Sequence, residues 1–185
     1  MIAQFEGFEI NSIHQGDAWK ICNFAVSNAD RLNPYFPITL DQNLNPTLSK
    51  LFVDKKVKAF INKEEFLFTL KHSETRELVG LIYIKELDWD KKQGEFAYCI
   101  GYPFEGKGLI SKSIGHLSTY AFTTLDIETL QIITHKDNLG SVQVAKKNTF
   151  EWQKTLLKEY APPGKDPLDM ELYELYKKDF HLYRK

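Results

Sequence analysis

The middle of the chain alternates short apolar runs with polar turns, a pattern typical of β-strands. Runs rich in Phe, Ile, Val, Leu and Tyr predict strands over residues 66–72, 77–87 and 94–102. Polar segments at residues 73–75 and 88–93 separate these runs. Because connections this short join antiparallel neighbours, the three strands are expected to form a meander.

After Gly108 the spacing of the apolar residues changes to that of a helix. The apolar face of this predicted helix, about 16 residues long, carries Ile110, Ile114, Leu117 and Ala121. Further along, the pattern predicts a strand over residues 129–135, a short helix over 139–147 and another strand over 149–160. Residues 168–176 fit either a helix or a strand, because their apolar residues satisfy both periods.

The first third of the chain predicts more helix than strand. Residues 4–10 alternate weakly and predict a first strand, and Asp17 is the predicted N-cap of a helix that ends near Asn28. Apolar spacing predicts a further helix over residues 48–62. Helices first, then a meander, then strand–helix–strand–helix–strand predict a mixed α/β fold with at least one parallel crossover. With no repeat and no composition shift, one domain is expected over residues 1–185.

The composition narrows the class of protein. The chain is 43% hydrophobic and 26% charged, which excludes a disordered or low-complexity protein. It has 24 basic and 25 acidic residues, so it lacks the basic excess of a nucleic-acid binder, and no nucleic-acid partner is expected. No apolar run approaches the roughly 20 residues of a membrane span. The start of the chain also lacks the basic and then apolar pattern of a signal peptide. We therefore expect a cytoplasmic protein with no membrane partner.

The cysteines and histidines show no pattern of a covalent or metal site. Cys22 and Cys99 lie far apart and belong to no C-x-x-C pair, so two reduced thiols are expected, although the sequence does not forbid a disulfide between them. The five histidines have no ligand spacing, so no metal is expected.

The residues that best indicate a function lie in the segment 94–111. A predicted strand ends there at a glycine-rich turn that leads directly into the predicted helix. The first amides of a helix have no intrahelical partner and carry partial positive charge, so this segment predicts an anion site suited to a pyrophosphate. The alternative is an ordinary tight turn that needs a positive φ at Gly106 or Gly108. The spacing of Gly101, Gly106 and Lys107 also matches a nucleotide P-loop, but Gly108 stands where Ser or Thr is needed.

Residues 95–111 resemble the GNAT acetyltransferase superfamily, together with Asn138, Ser141 and residues 146–150. More narrowly, they are similar to its RimJ/RimL-like branch, typified by ribosomal-protein-alanine N-acetyltransferases. The resemblance implies a central mixed, twisted sheet of about six to seven strands with helices on both faces. It also implies transfer of an acetyl group from acetyl-CoA to a primary amine by direct attack. Either a protein N-terminus or a small-molecule amine fits as acceptor, and the oligomeric state is not predicted.

The resemblance assigns roles to individual residues. Glu95 would accept the proton of the amine, and Ser141 would donate one to the leaving thiolate. The alternatives without a catalytic role are a solvent-facing strand glutamate at Glu95, and a helix cap or surface serine at Ser141. Asn138 is expected to cap the short helix. The residues implied to bind the cosubstrate are Ile100, Tyr102, Gly106, Lys107, Gly108, Leu109, Ile110, Ser111 and Asn138.

The chain departs from the family pattern at positions that bear on activity. Glu105 stands where the family has Gln or Arg, which places a negative charge near the predicted pyrophosphate. Ile110 replaces Gly or Ala, Thr149 replaces the glycine before Phe150, and Ala145 stands where many relatives have a proton-donating Tyr. These departures motivate a second hypothesis, a catalytically weak or inactive acyl-CoA-binding or interaction module of the same fold.

Overall fold

A computed structural model describes residues 1–180 and contains one eight-stranded sheet. The strands are Ala3–Phe5 (β1), Phe8–Ser12 (β2), Phe66–His72 (β3), Leu78–Asp88 (β4), Gln93–Ile100 (β5), Thr129–Thr134 (β6), Glu151–Tyr160 (β7) and Leu168–Tyr176 (β8). The helices are Ala18–Ser27 (α1), Ala29–Leu32 (α2), Pro37–Asp41 (α3), Pro46–Ile61 (α4), Leu109–Thr123 (α5) and Leu139–Lys147 (α6). The predicted mixed α/β class is confirmed, but the sheet has eight strands instead of six or seven.

The strand order is β1-β2-β3-β4-β5-β6-β8-β7. The predicted meander corresponds to β3, β4 and β5, which are neighbours in chain order. β5 and β6 pair in parallel from Gln93↔Thr129 to Phe96↔Ile132, and α5 connects them. This is the predicted parallel crossover. β8 lies between β6 and β7 and is antiparallel to both, so the ambiguous tail of the sequence is a strand.

The extra strand comes from the N-terminus. A single strand over residues 4–10 was expected, but β1 and β2 form a hairpin with Phe5 opposite Phe8. Its two turn residues, Glu6 and Gly7, have φ of 45° and 80°. Two-residue hairpin loops of this type need positive φ at both positions. The chain therefore reverses direction at Glu6 and Gly7, where the alternation of apolar residues had predicted one continuous strand.

The chain divides into two compact units by its internal contacts. The first contains Met1–Tyr83 and Tyr98–Glu105, and the second contains Ile84–Ala97 and the chain from Gly106 onward. Strands β4 and β5 contribute residues to both units. A single domain over residues 1–185 stays a prediction.

The first unit holds α1 to α4 and a buried ion pair. Asp17 precedes α1 as predicted, but its side chain does not cap that helix. One carboxylate oxygen accepts a bond from Lys71 Nζ at 2.5 Å, and the other accepts one from the His14 amide at 3.1 Å. Both side chains of the ion pair are fully buried. Asp17 therefore fixes the chain before α1 to strand β3.

The second unit is built around α5, whose apolar face is buried as predicted. Phe96 of β5 packs against Phe150 with ring centroids 6.3 Å apart. Leu130 and Ile132 of β6 are also buried. Across residues 1–180, no helix combines the length and the apolarity that a membrane crossing requires.

Candidate active site

The turn before α5 has an open backbone. Gly106 and Gly108 have φ of 73° and 74°, a left-handed conformation that favours glycine. A Cβ added at either position would meet no atom within 4 Å. We call residues 106–108 the glycine turn. Both glycines have the positive φ that the tight-turn alternative requires, and the space beside them is open to another molecule.

The glycine turn leads into a helix whose first amides are available. The first hydrogen bond of α5 runs from the Lys112 amide to the Gly108 carbonyl oxygen at 3.1 Å. The amides of Leu109, Ile110 and Ser111 precede it and therefore have no intrahelical acceptor. Because the Ile110 side chain is buried, its extra bulk lies in the protein interior. This backbone can hold an anion.

Helix α6 is tied to the start of α5 by Asn148, a residue to which the sequence gave no role. Its Nδ2 lies 3.0 Å from the Ser111 carbonyl oxygen, 3.1 Å from the Ser111 hydroxyl and 2.9 Å from the Val144 carbonyl oxygen. Asn148 ends α6, and it is buried. In the sequence, its position directly after the helix predicted over residues 139–147 is a weak signal, because the burial that makes its bonds important is known only from the structure.

Asn138 caps α6, as expected. Its Oδ1 accepts a hydrogen bond from the Ser141 amide at 3.2 Å. Ser141 therefore lies in the first turn of the helix and is not its cap. Four residues further along, Ala145 is fully buried. The position of the tyrosine in the family pattern is thus filled by a small core residue.

Glu95 is not a solvent-facing glutamate, because only 13% of its side chain is exposed. It lies in β5 opposite Gln131 of β6. Its Oε1 is 2.9 Å from Nζ of Lys85, which lies in β4. Burial raises the pKa of Glu95 above its usual range, while the Lys85 ammonium acts in the opposite direction. A largely buried carboxylate with a raised pKa is a stronger proton acceptor than an ordinary glutamate.

Glu105 does not carry an uncompensated charge. Its Oε2 is 2.5 Å from Nη1 of Arg31, and 58% of its side chain is exposed. The hydrogen bond from Arg31 lowers the pKa of Glu105. The Arg31 guanidinium also lies 4.8 Å from the centroid of the Tyr102 ring. The sequence did not indicate Arg31, because Arg31 lies 74 positions before Glu105 in the chain.

The two predicted backbone donors in and after β5 differ. The Tyr102 amide donates to Asn28 Oδ1 at 3.0 Å, so that amide already has an acceptor. Ile100 is the last residue of β5. Of the two, Ile100 is therefore the better candidate for a donor to a substrate carbonyl.

The predicted site residues divide between the two units. Glu95, residues 106–111, Asn138 and Ser141 belong to the second unit, whereas Ile100 and Tyr102 belong to the first. Lys107 is exposed within the glycine turn. Among residues 1–180, no group of three or more His, Cys, Asp or Glu is arranged to hold a metal ion.

Thr149 stands at the position before Phe150 where the family pattern has glycine. It has a φ of 60°, which is unfavourable for a β-branched residue. The left-handed residue turns the chain between α6 and the buried Phe150. This departure from the family pattern therefore preserves the geometry at some cost in backbone strain.

The sequence model of the Acetyltransferase (GNAT) domain matches residues 9–151. The chain belongs to the GNAT acetyltransferase family. The chain is 24% identical over 113 residues to the uncharacterized N-acetyltransferase p20 of Bacillus licheniformis, covering 61% of this chain and 63% of p20. The matched segment is thus a little under two thirds of that relative. The chain is also 22% identical over 125 residues to spermidine N(1)-acetyltransferase of Escherichia coli (strain K12), covering 63% of this chain and 67% of the relative.

The fold is similar to that of solved GNAT structures. RimL, the ribosomal L7/L12 alpha-N-protein acetyltransferase in complex with coenzyme A, superposes with a TM-score of 0.87 at 17% identity. The superposition covers 97% of this chain and 99% of RimL. The fold is therefore of the RimJ/RimL type that the sequence resemblance named.

Proposed function

We propose that this chain is an acetyl-CoA-dependent N-acetyltransferase that acts on a primary amine. The observation that carries the proposal is the glycine turn, which presents open backbone and the first amides of α5 together. Membership of the GNAT family supports it. The coenzyme A complex of RimL supports the choice of cosubstrate, since RimL shares this fold.

The residues present fit acetyl-CoA. The glycine turn leaves room beside Gly106 and Gly108, and the amides of residues 109–111 would bind the pyrophosphate. Asn148 would hold the Ser111 end of this cradle in place. Ile100 stays the predicted source of the amide that polarises the thioester carbonyl.

Glu95 and Ser141 are the proposed catalytic residues. Acetyl-CoA would supply the acetyl group as a thioester. As the C–N bond to the amine forms and the C–S bond breaks, Glu95 accepts the proton that the amine nitrogen loses. The departing thiolate needs a proton of its own. Ser141 is the candidate donor, since Ala145 has no hydroxyl. Ser141 would regain its proton from water, to which Glu95 releases the proton taken from the amine.

The acceptor is either a protein N-terminus or a small-molecule amine. Both kinds occur among similar proteins, since RimL is named for ribosomal L7/L12 and the Escherichia coli relative for spermidine. We expect action in the cytoplasm, with which two free thiols at Cys22 and Cys99 are compatible.

Calorimetric titration with acetyl-CoA tests the proposal first. Saturable binding is expected, followed by release of the coenzyme A thiol when amines are added. The amine panel should include N-terminal peptides of ribosomal proteins and polyamines. A folded protein that shows no binding at millimolar acetyl-CoA would refute the proposed function.

A second candidate is a catalytically weak or inactive acyl-CoA-binding module. The buried Ala145 favours it, because the position at which many relatives carry a proton donor offers none here. Binding of acetyl-CoA without thiol release across the whole amine panel would support this candidate against the enzyme.

A further inference from the structure

Lys85 is the charged residue in contact with the candidate base. Its Nζ lies 2.9 Å from Glu95 Oε1, and the two side chains are 33% and 13% exposed. The residues lie in β4 and β5, which are neighbours in the sheet. Both belong to the second unit. The contact therefore joins two strands of the unit that carries most of the candidate site.

The surroundings of Glu95 are otherwise acidic or neutral. Glu86, beside Lys85 in β4, and Glu159 of β7 are carboxylates whose charges disfavour ionisation of Glu95. The residue opposite in β6 is the uncharged Gln131, which donates to Glu174 at 2.6 Å. Of the charged groups with the main effects on Glu95 within residues 1–180, Lys85 favours its ionised form and the other two, Glu86 and Glu159, oppose it. Without Lys85, burial and these two carboxylates would act on Glu95 unopposed.

The backbone next to Lys85 is unusual for a strand. Glu86 has a φ of 49°, although it is not glycine and lies inside β4. A left-handed residue interrupts the regular alternation of side chains and is retained only where the surrounding structure demands it. The interruption falls directly after Lys85, at the position from which its side chain reaches Glu95. This backbone feature accompanies the Lys85–Glu95 contact in the structure.

We propose that Lys85 is a positioning residue for Glu95, holding the carboxylate in one orientation and in its ionised state for proton transfer. The inference rests on the proposed function only for its kinetic consequence. The ion pair itself is a property of the free protein. Lys85 need not touch either substrate, because it acts through the carboxylate that it holds.

The kinetic test uses Lys85→Met and Lys85→Arg. With the ammonium removed, the acid limb of the kcat/KM pH profile should move upward by roughly one pH unit, because an opposite charge at this distance lowers a carboxyl pKa by about that much or more. kcat should fall roughly tenfold through loss of orientation, while KM for acetyl-CoA stays near that of the parent. Lys85→Arg should restore most of both properties.

Lys91→Met is the matched control. Lys91 forms a lysine–carboxylate pair of similar length, 2.8 Å to Asp88 Oδ2, but it is 74% exposed and its partner is Asp88 instead of Glu95. It should leave the pH profile unchanged. If Lys85→Met leaves the acid limb and kcat where they are in the parent, the proposal is wrong.

A second measurement is independent of catalysis. The Glu95 side-chain carboxyl can be followed by carbon NMR in the intact protein and assigned with Glu95→Gln. Its titration midpoint should rise in Lys85→Met. If that variant does not fold, the same rise is expected in Lys85→Gln. An unchanged midpoint overturns the role of Lys85. Absence of turnover with every amine would count against the proposed function alone, because the NMR titration would still decide the inference.

Discussion

Glu95 in β5 and Glu105 before the glycine turn lie close together in sequence, but their surroundings shift their pKa values in opposite directions. Each is within 3 Å of a basic side chain, Lys85 for the first and Arg31 for the second. Nevertheless the pKa of Glu95 is raised and that of Glu105 is lowered. Glu95 is 13% exposed and Glu105 is 58% exposed. The presence of a cation therefore does not decide the direction of the shift, because burial can outweigh it.

The two regions also differ in the role that we propose for each. The strand region around Glu95 offers a carboxylate whose pKa is raised by burial, which suits a base that must accept a proton in catalysis. The turn region after Glu105 offers backbone amides and space, which is a requirement of binding. If this division is right, substitutions in the strand should change rate and pH dependence, whereas substitutions in the turn should change affinity for acetyl-CoA.

The largest expected effect is that of Glu95→Gln. Loss of a general base should lower kcat by roughly a hundredfold to ten-thousandfold, while the dissociation constant of acetyl-CoA changes little. Steady-state kinetics and calorimetry measure the two quantities. Glu65→Gln is the matched control, since Glu65 is also partly buried and paired with a lysine, Lys56, at 2.5 Å. Full activity in Glu95→Gln would remove the strand region from catalysis.

Gly108→Val should have the next largest effect. A side chain at φ 74° strains the turn and fills the space that the anion needs. Loss of two backbone bonds to an anion, at about 1.5 kcal/mol each, would raise the dissociation constant of acetyl-CoA roughly a hundredfold. The pH midpoint of residual activity should stay in place, since Glu95 is unchanged.

Gly164→Val provides the control for strain. Gly164 has a φ of 68° and equally open surroundings, but it lies in the connection between β7 and β8. It should destabilise the protein in thermal melts to a similar degree without weakening acetyl-CoA binding. A folded Gly108→Val protein that binds acetyl-CoA like the parent would show that the cosubstrate does not use the glycine turn.

The pH dependence of the parent should follow Glu95. A base must be deprotonated to work, and a raised pKa means that protonation occurs at higher pH than for an ordinary glutamate. Activity should therefore fall as the pH decreases through a midpoint above the usual range, about tenfold for each further unit. Glu105→Gln should leave this midpoint in place. A midpoint at or below that of an ordinary glutamate would contradict the dominance of burial at Glu95.

The smallest expected effect is that of Glu105→Arg. It replaces a carboxylate beside the predicted pyrophosphate site with a cation and releases Arg31 from its pair. A new charge contact of about 1 kcal/mol would tighten acetyl-CoA binding about fivefold, and less at high salt. Calorimetry at two salt concentrations measures this effect. Weaker binding would mean that the Arg31–Glu105 pair itself supports the turn.

The sequence by itself determined the elements whose signals are local. The apolar period after Gly108 predicted α5, the spacing of β-rich segments predicted β3, and Asn138 predicted the cap of α6. Each of these predictions depends only on residues that are close together in the sequence. The glycine turn and the candidacy of Glu95 were also available from residues 94–111, because the family pattern there is contiguous.

Only the tertiary structure decided which charges meet. Lys85 and Glu95 come together because β4 and β5 are neighbours, and Arg31 reaches Glu105 across 74 positions of chain. The hairpin of β1 and β2 and the position of β8 between β6 and β7 were decided at the same level. Such contacts depend on strand order, register and burial, which no local pattern encodes. Burial raises the pKa of Glu95 and the hydrogen bond from Arg31 lowers that of Glu105, and neither cause could be read from the sequence.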